Sequence, residues 1–531
     1  MPVTWDVIVV GGGHNGLVAA AYLAKAGRSV LVLERRHLVG GACVTEELFP
    51  GFHYSTTSYV CSLLRPAVIR DLRLGEHGLE ILPARTFFAP FPDGRSLLLG
   101  QGPEEDAAAI GRFSPRDAET YPRYTAALAR LAEVIRPVFD LVPPNPARLG
   151  LAGALDLLRL GRAFRRLSVA DQALLAKCLT VSAADLVAEW FESPELRASL
   201  VASGTIGIWG SPSTPGTAFV LLHHAVGDAA GEPGAWGFVR GGMGGVTQAL
   251  AAAAREHGAE IRTEAPVERI AVRDGRASGV VAGGEELRAR AVVSNADPKR
   301  TFLGLVGRDE LPADFARGIE NLRMTGNSAK VNVALSEPPD FACLPGDGPH
   351  LRGTIDIAGG EPEYLERAFH DFRAGRPSRQ PYLEIVLPST VDPTLAPPGR
   401  HVMSISLKYV PYRLAEGDWE MRREELGDLA IATLAEYAPN VPGAILHRQV
   451  LTPLDFERVY GLTRGNIAHG DMAADQLFFM RPLYGWARYR TPIRGLYLCG
   501  AGTHPGGGVM GAAGRNAAAV VLRDLGRRRP G

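Results

Sequence analysis

The run Asp6-Val7-Ile8-Val9-Val10 is short, apolar and largely β-branched, and it breaks into Gly11-Gly12-Gly13-His14-Asn15-Gly16 before a helix-prone stretch over 17–26. A second apolar run over 29–33 ends in Glu34. Strand, glycine turn, helix and strand in so short a span predict the βαβ unit of a dinucleotide-binding fold, with Gly27 placed to close the helix.

From about residue 83 to 235 the pattern changes. Helical stretches over 117–141, 149–167, 169–179 and 193–203 alternate with Pro-rich joints such as Val142-Pro143-Pro144-Asn145-Pro146, which predicts an inserted helical region over a substrate site. The adjacent His223 and His224 read as strand residues that face opposite ways, in a structural role. At Gly241 the first style returns. A glycine turn, a helix over 246–257 and an apolar run near Ile261 lead into a β-meander over 267–272, 277–281 and 285–293, with Asp274-Gly275 and Gly283-Gly284 as its turns. Strands over 329–335, 382–387 and 401–409 and a helix over 419–437 predict a second sheet that forms a pocket wall. The end of the chain is dinucleotide-like again, with a buried strand over 495–499, a glycine-dense 500–511 and a helix over 512–522. The expected division is one nucleotide domain in three pieces (1–82, 236–300 and 486–531), a helical cap over 83–235 and a mixed α+β substrate domain over 301–485.

Basic and acidic side chains both number 57, so the formal charge is zero, which argues against a nucleic-acid partner. A hydrophobic fraction of 46% over 531 residues supplies more than one core. The five cysteines (43, 61, 178, 343 and 499) never form a CxxC pair, so neither a disulfide framework nor a zinc ribbon is expected, and a reducing cytosol is the natural setting. A strand beginning at Trp5 leaves no room for an export signal, and no apolar run reaches the roughly 20 residues that span a bilayer. The expectation is a cytoplasmic protein, open to peripheral membrane contact.

Gly11, Gly13 and Gly16 satisfy GxGxxG: the first permits the tight turn, the second lets backbone approach a pyrophosphate, and the third lets helix pack on strand. Glu34 follows Gly13 by 34 − 13 = 21 residues and is placed to accept from ribose hydroxyls while repelling a phosphate there. FAD is favoured over NAD by the segment 35–42, in which Arg35, Arg36 and the Gly40-Gly41-Ala42 run bring cations and a second stretch of backbone to the pyrophosphate and flavin. The 500–511 segment can hold amides at the pyrimidine edge of a reduced flavin, where negative charge develops. A second GxGxxG unit with its own acidic residue is not evident, so no built-in nicotinamide domain is expected.

These stretches, with 241–250, Val292-Val293-Ser294-Asn295-Ala296-Asp297-Pro298, 465–482 and 495–516, resemble the phytoene desaturase and carotenoid isomerase group of FAD-dependent oxidoreductases, within the glutathione-reductase-like and amine-oxidase-like flavoproteins. The chain is similar in particular to the pyridine nucleotide-disulfide oxidoreductase domain-containing protein 2 group and its bacterial relatives. The resemblance spans nearly the whole chain and implies an α/β fold with a discontinuous Rossmann-like FAD-binding domain. It implies FAD held non-covalently around Gly11, Gly13, Gly16, Glu34, Gly41 and the Val267 backbone, with Gly500, Val509, Met510 and Gly511 near the flavin. The disulfide of that group's name has no chemistry here, because Cys43 and Cys61 lack the spacing of a redox dithiol.

FAD beside a largely apolar pocket points to removal of hydride from a substrate C–H bond, with oxygen or a quinone as external acceptor. No Ser-His-Asp or metal-ligand arrangement stands out. His504 is the first candidate for a polar group at the flavin, against simple hydrogen bonding of its turn. His469 and Asp471 follow, with turn and capping duty as the commoner role. Tyr484, Trp486 and Tyr489 read as packing, and by family analogy the 54–59 segment approaches the substrate. The 149–167 stretch, rich in leucine and carrying Arg159, Arg162, Arg165 and Arg166, reads as a cap helix packed on its own domain, with a lipid-facing helix as the alternative. Two other functions stay in view: amine oxidation, and a non-redox prenyl-binding escort protein of the same fold.

Overall fold

The computed structural model describes residues 4–145, 150–228, 231 and 234–526; Pro146 and Leu149, part of the expected joint and of the helix after it, lie outside them. Two seven-stranded sheets organise the chain. In the first, Glu260–Arg262, Val30–Leu33, Thr4–Val10, Glu285–Ser294 and Leu496–Leu498 lie side by side and parallel. Val267–Arg273 and Arg276–Ala282 fold back antiparallel onto the first half of Glu285–Ser294. Their turns at Asp274-Gly275 and Gly283-Gly284 have positive φ at all four residues, as tight hairpins require. Val7 and Val9 enter the core under the helices His14–Lys25, Gly244–Glu256 and Ala512–Leu525, whereas Ile8 and Val10 enter a second core with Phe302 and Phe315. Both faces are covered, which is why these strands read as continuous apolar runs.

The second sheet runs in the order Ile445–Leu451, Ser328–Leu335, His401–Lys408, Leu383–Val386, Thr354–Ile357, Phe87–Pro90, Ser96–Leu99. Its last two strands come from the stretch whose pattern read as helical. Phe88 is wholly buried against Phe341 and His350, so packing on the sheet fixes this segment as strand. One face of the sheet buries Val331, Val333, Ile355, Ile385 and Ile405 in the core shared with the helix Trp419–Ala435.

The helices Pro115–Phe139, Val169–Thr180, Ala183–Trp190, Pro194–Val201 and Thr217–Ala225 share a core of their own. Ser114, Ser168 and Ser182 cap three of them, each hydroxyl accepting from the amide of an Asp three residues on. His223 and His224 lie on the last of these helices, not on a strand. The apolar run around them is short enough to read either way, and burial among helices decides it. Successive helical residues diverge by about 100°, so the two rings still meet different surroundings. Leu151–Arg166 departs from the packed-helix expectation: none of its described residues is buried, and Leu151, Leu155 and Leu158 are 88%, 52% and 54% exposed. Among the described residues no helix is long and apolar enough to cross a membrane.

Candidate functional site

Glycine shapes the turn after Thr4–Val10. Gly11 has φ +92°, a Cβ on Gly16 would lie 2.3 Å from the Gly11 carbonyl oxygen, and one on Gly13 would lie 2.6 Å from Asn295 Nδ2. The Gly40 amide donates to Gly12 O at 2.8 Å, and a Cβ on Gly41 would sit 3.4 Å from Gly13 Cα, so the two glycine turns stand against each other. Helix His14–Lys25 starts with no side-chain cap, which leaves its first amides for an anion. Glu34 is buried and accepts from the amides of Gly12 at 2.8 Å and Arg36 at 2.9 Å. The Ala265 amide donates to Glu34 O at 2.9 Å, which brings Val267 and its strand to the same edge. The Ala42 carbonyl accepts from Thr57 Oγ1 and from Ser58 N and Oγ, and so holds the 57–58 segment beside the second turn.

The two arginines after Glu34 part ways. Arg35, expected at the cofactor, is exposed and donates to the carbonyls of Arg458 and Val459. Arg36 turns inward instead, 2.6 Å from Glu46 and over the Tyr460 ring, with Nη1 buried and without a protein partner. At a strand end successive side chains point opposite ways, so a shift of one residue decides which cation faces the site.

The C-terminal loop lands beside the first turn. A Cβ on Gly514 would lie 2.2 Å from Asn15 O, so the helices Ala512–Leu525 and His14–Lys25 cross backbone to backbone. Gly500 is confined between Asn295 O and His469 Nδ1, at 2.6 and 3.3 Å from its Cβ position. Val509 and Gly511 have positive φ, and Met510 O accepts from the Arg65 amide at 3.0 Å. Arg481, fully buried, donates to the carbonyls of Ala468, Gly470, Asp471, Gln476 and Ala501 and so fastens the 468–476 segment to this loop.

His504 serves as an anchor: Nε2 lies 2.7 Å from Val138 O, the His504 carbonyl accepts from Tyr489 Oη, and Nδ1 is buried without a partner. Burial pushes its pKa down to about 4. His469, at φ +55°, presents an unpartnered Nδ1 toward Gly500, and burial lowers its pKa. His14, which sequence reasoning passed over, is pushed down to about 4 by burial first and by His469 second. Asp471 accepts from the Trp209 amide at 2.8 Å and from Arg323, which is turn and tethering duty. Tyr484 is exposed, Trp486 packs on Phe315 and Tyr489 is in the core. Cys43 and Cys61 are free, buried thiols pushed up to about 12 by burial, so neither offers a thiolate.

A cavity of about 740 Å³ lies under the helical cap. Tyr124, Leu128, Leu221 and Trp236 supply apolar wall, so the lining is largely apolar as expected, with Asp356, Tyr382 and Glu384 as a polar strip within it. These polar residues belong to the second face of the second sheet. Asp356 stands opposite Glu384, Glu384 opposite Ser406, and Ser406 opposite Lys330, in one row across four strands. Tyr382 Oη donates to Asp356 at 2.7 Å, Tyr59 Oη donates to Glu384, and Lys330 Nζ donates to Thr57 O at 2.6 Å while lying 3.8 Å from the Tyr59 ring centre. The row therefore joins the cavity to the segment that Ala42 holds beside Gly40 and Gly41. Burial first, then the Glu384 carboxylate, raises the Asp356 pKa well above the usual range. Burial lowers Lys330 well below its ordinary value and brings Lys408 down to about 8. The signal was present in the sequence: Lys330 and Asn332, and Ser404, Ser406 and Lys408, alternate with apolar residues, a pattern that ordinarily marks a solvent face.

The residues present fit FAD: two glycine turns that side chains would fill, an uncapped helix start, a buried carboxylate at the end of the second strand, and an inward arginine with an unpartnered nitrogen. The model of the flavin containing amine oxidoreductase family matches residues 16–522. Pyridine nucleotide-disulfide oxidoreductase domain-containing protein 2 of Rattus norvegicus is 44% identical over 98% of this chain and 94% of its own. A limonene dehydrogenase component of Castellaniella defragrans is 31% identical over 98% and 95%. The lycopene-forming phytoene desaturase of Pseudescherichia vulneris is 27% identical over 98% and 99%. A solved putrescine oxidase variant shares the fold, with a TM-score of 0.61 at 17% identity over 99% of this chain and all (100%) of that one. The chain belongs to the flavin containing amine oxidoreductase family and is an FAD-dependent oxidoreductase.

Proposed function

We propose that the protein removes hydride from a C–H bond of an apolar or amphipathic small molecule, leaving a new double bond, with oxygen or a quinone as the external acceptor. The observation that carries this reading is the cavity of about 740 Å³, capped by apolar helices and joined to the glycine turns by the row from Asp356 to Lys330. When bound, FAD supplies acceptance of two electrons from a C–H bond. The substrate gives up a hydride and a proton; the acceptor gains two electrons and two protons and leaves as hydrogen peroxide or quinol. The chain's own work is to orient the substrate and exclude water. Burial favours the neutral amine of Lys330, which can hold the released proton. The relatives named for limonene and phytoene support this reading. Amine oxidation is the second reading, favoured by the two carboxyl groups in the cavity and offset by Lys408 on a neighbouring strand.

Anaerobic titration of the flavin-loaded protein with polyenes, lipids and amines tests the choice. Loss of the oxidised flavin band with polyenes or lipids is expected, and bleaching by amines alone would replace this reading with the second one. We also propose that helix Leu151–Arg166 touches an anionic lipid surface, because its leucines are exposed beside Arg159, Arg162, Arg165 and Arg166. Flotation with anionic liposomes is expected for the native protein and is expected to weaken in a Leu155→Glu, Leu158→Glu variant. Equal flotation of both proteins, or none of either, removes the lipid contact.

A further inference from the structure

We propose that the cavity is built for an uncharged amphipathic substrate bearing a hydroxyl group, and that His224 is the residue that binds this hydroxyl. The proposal rests on the reading of this cavity as the substrate site. His224 lines it from helix Thr217–Ala225, its ring centre 6.0 Å from that of Trp236 and 5.5 Å from that of His223. Both of its ring nitrogens are buried without a protein partner. The ionisable groups around it are already engaged: Asp356 with Tyr382, Glu384 with Tyr59, Lys330 with the Thr57 carbonyl, and Lys408 with the Ala202 carbonyl and Thr205 Oγ1. His223 faces elsewhere, its Nε2 lying 3.7 Å from the Cβ position of Gly508 in the C-terminal glycine loop. Both His224 ring nitrogens therefore have hydrogen-bonding capacity still to be met.

The chemistry of the four simplest head groups separates them. A neutral imidazole offers one donor and one acceptor, and a hydroxyl can serve as partner to either, whichever tautomer faces the cavity. Burial first, then His223 and Lys408, keeps the ring neutral. An ammonium group only donates, which leaves the ring N–H without an acceptor, and it brings a charge close to Lys408. A carboxylate only accepts, and it meets Glu384. A hydrocarbon offers the imidazole neither a donor nor an acceptor.

Binding to the FAD-loaded protein, measured by calorimetry with butylbenzene, phenylbutanol, phenylbutylamine and phenylbutanoate, tests this without turnover. Phenylbutanol is expected to bind about tenfold more tightly than the other three, the scale of one or two neutral hydrogen bonds. In His224→Leu that preference should vanish, with the melting temperature unchanged or raised because no native hydrogen bond is lost. His224→Gln, which keeps a donor and an acceptor, should restore the preference. Equal binding of the alcohol and the hydrocarbon by the native protein overturns the proposal, as does a preference that survives in His224→Leu. Failure of the bleaching experiment with a retained alcohol preference would count against the proposed reaction and not against this site.

Discussion

Glu34→Arg will yield a folded protein that loses its flavin on gel filtration. Glu34 joins both halves of the cradle: one carboxylate oxygen accepts from the Gly12 amide at 2.8 Å and the other from the Arg36 amide at 2.9 Å. Hydrogen bonds to a charged acceptor contribute about 1.5–3 kcal/mol each. The substitution removes both, leaving the Gly11 amide on Leu33 O as the turn's tie to the second strand, and puts a cation where an acceptor for the ribose hydroxyls is expected. Loss of one charge-assisted bond to the ribose, about 1.5–3 kcal/mol, weakens FAD retention by about tenfold to a hundredfold. Glu34→Gln, which keeps one acceptor and the side-chain shape, should fall between. The ratio of flavin to protein absorbance after filtration, followed by titration of FAD into the stripped protein, gives the result. Full occupancy in the arginine variant would show that the ribose contact lies elsewhere.

The parts of this site that could be read from sequence are those whose physics is local. A glycine that must adopt positive φ, such as Gly11, or that must admit a neighbouring backbone, such as Gly16 against Gly11 O, leaves its mark at a fixed offset from strand and helix. Glu34 was legible for the same reason. Its neighbours were not: Arg35 and Arg36 differ only in which way a strand end turns, and the structure sends Arg35 to the surface. The polar face of the second sheet escaped for a different reason. Alternation around Lys330 and Ser406 is visible, but it takes the 56–59 segment and the helices that roof the cavity to turn a face that looks solvated into a buried one. The strand Phe87–Pro90 is short and owes its state to a partner far along the chain, Phe87 and Phe88 pairing with Thr354 and Ile355, and Ser96–Leu99 then pairs back on it. His223 and His224 show the same limit, since a short apolar run takes its state from what it packs against.

Arg481→Met is expected to cost more stability than any other single change considered, and to release flavin before the rest of the protein unfolds. Arg481 is 1% exposed and its three guanidinium nitrogens reach five backbone carbonyls, drawn from the 468–476 segment and from Ala501. Burial lowers its pKa to about 10, so it remains charged at neutral pH, with the nearby Asp471 working against that fall. The carbonyl dipoles thus offset the desolvation of a cation that meets no carboxylate directly. Methionine fills part of the volume and donates nothing, and each buried carbonyl left unpaired costs about 1–3 kcal/mol. Even if water rescues most of them, the loss exceeds about 3 kcal/mol. Lysine keeps the charge but has three donors at one point, and it cannot span acceptors on two sides of a planar fork. The predicted order of stability is therefore native, then Arg481→Lys, then Arg481→Met. Thermal unfolding followed by tryptophan emission, in parallel with the rise in free-flavin fluorescence, separates the two effects. Because Ala501 directly follows Gly500, which packs on Asn295 and His469, loosening this tie should free the flavin at a lower temperature than global unfolding. Coincident transitions in Arg481→Met would instead mean that the loop holds its shape without the arginine.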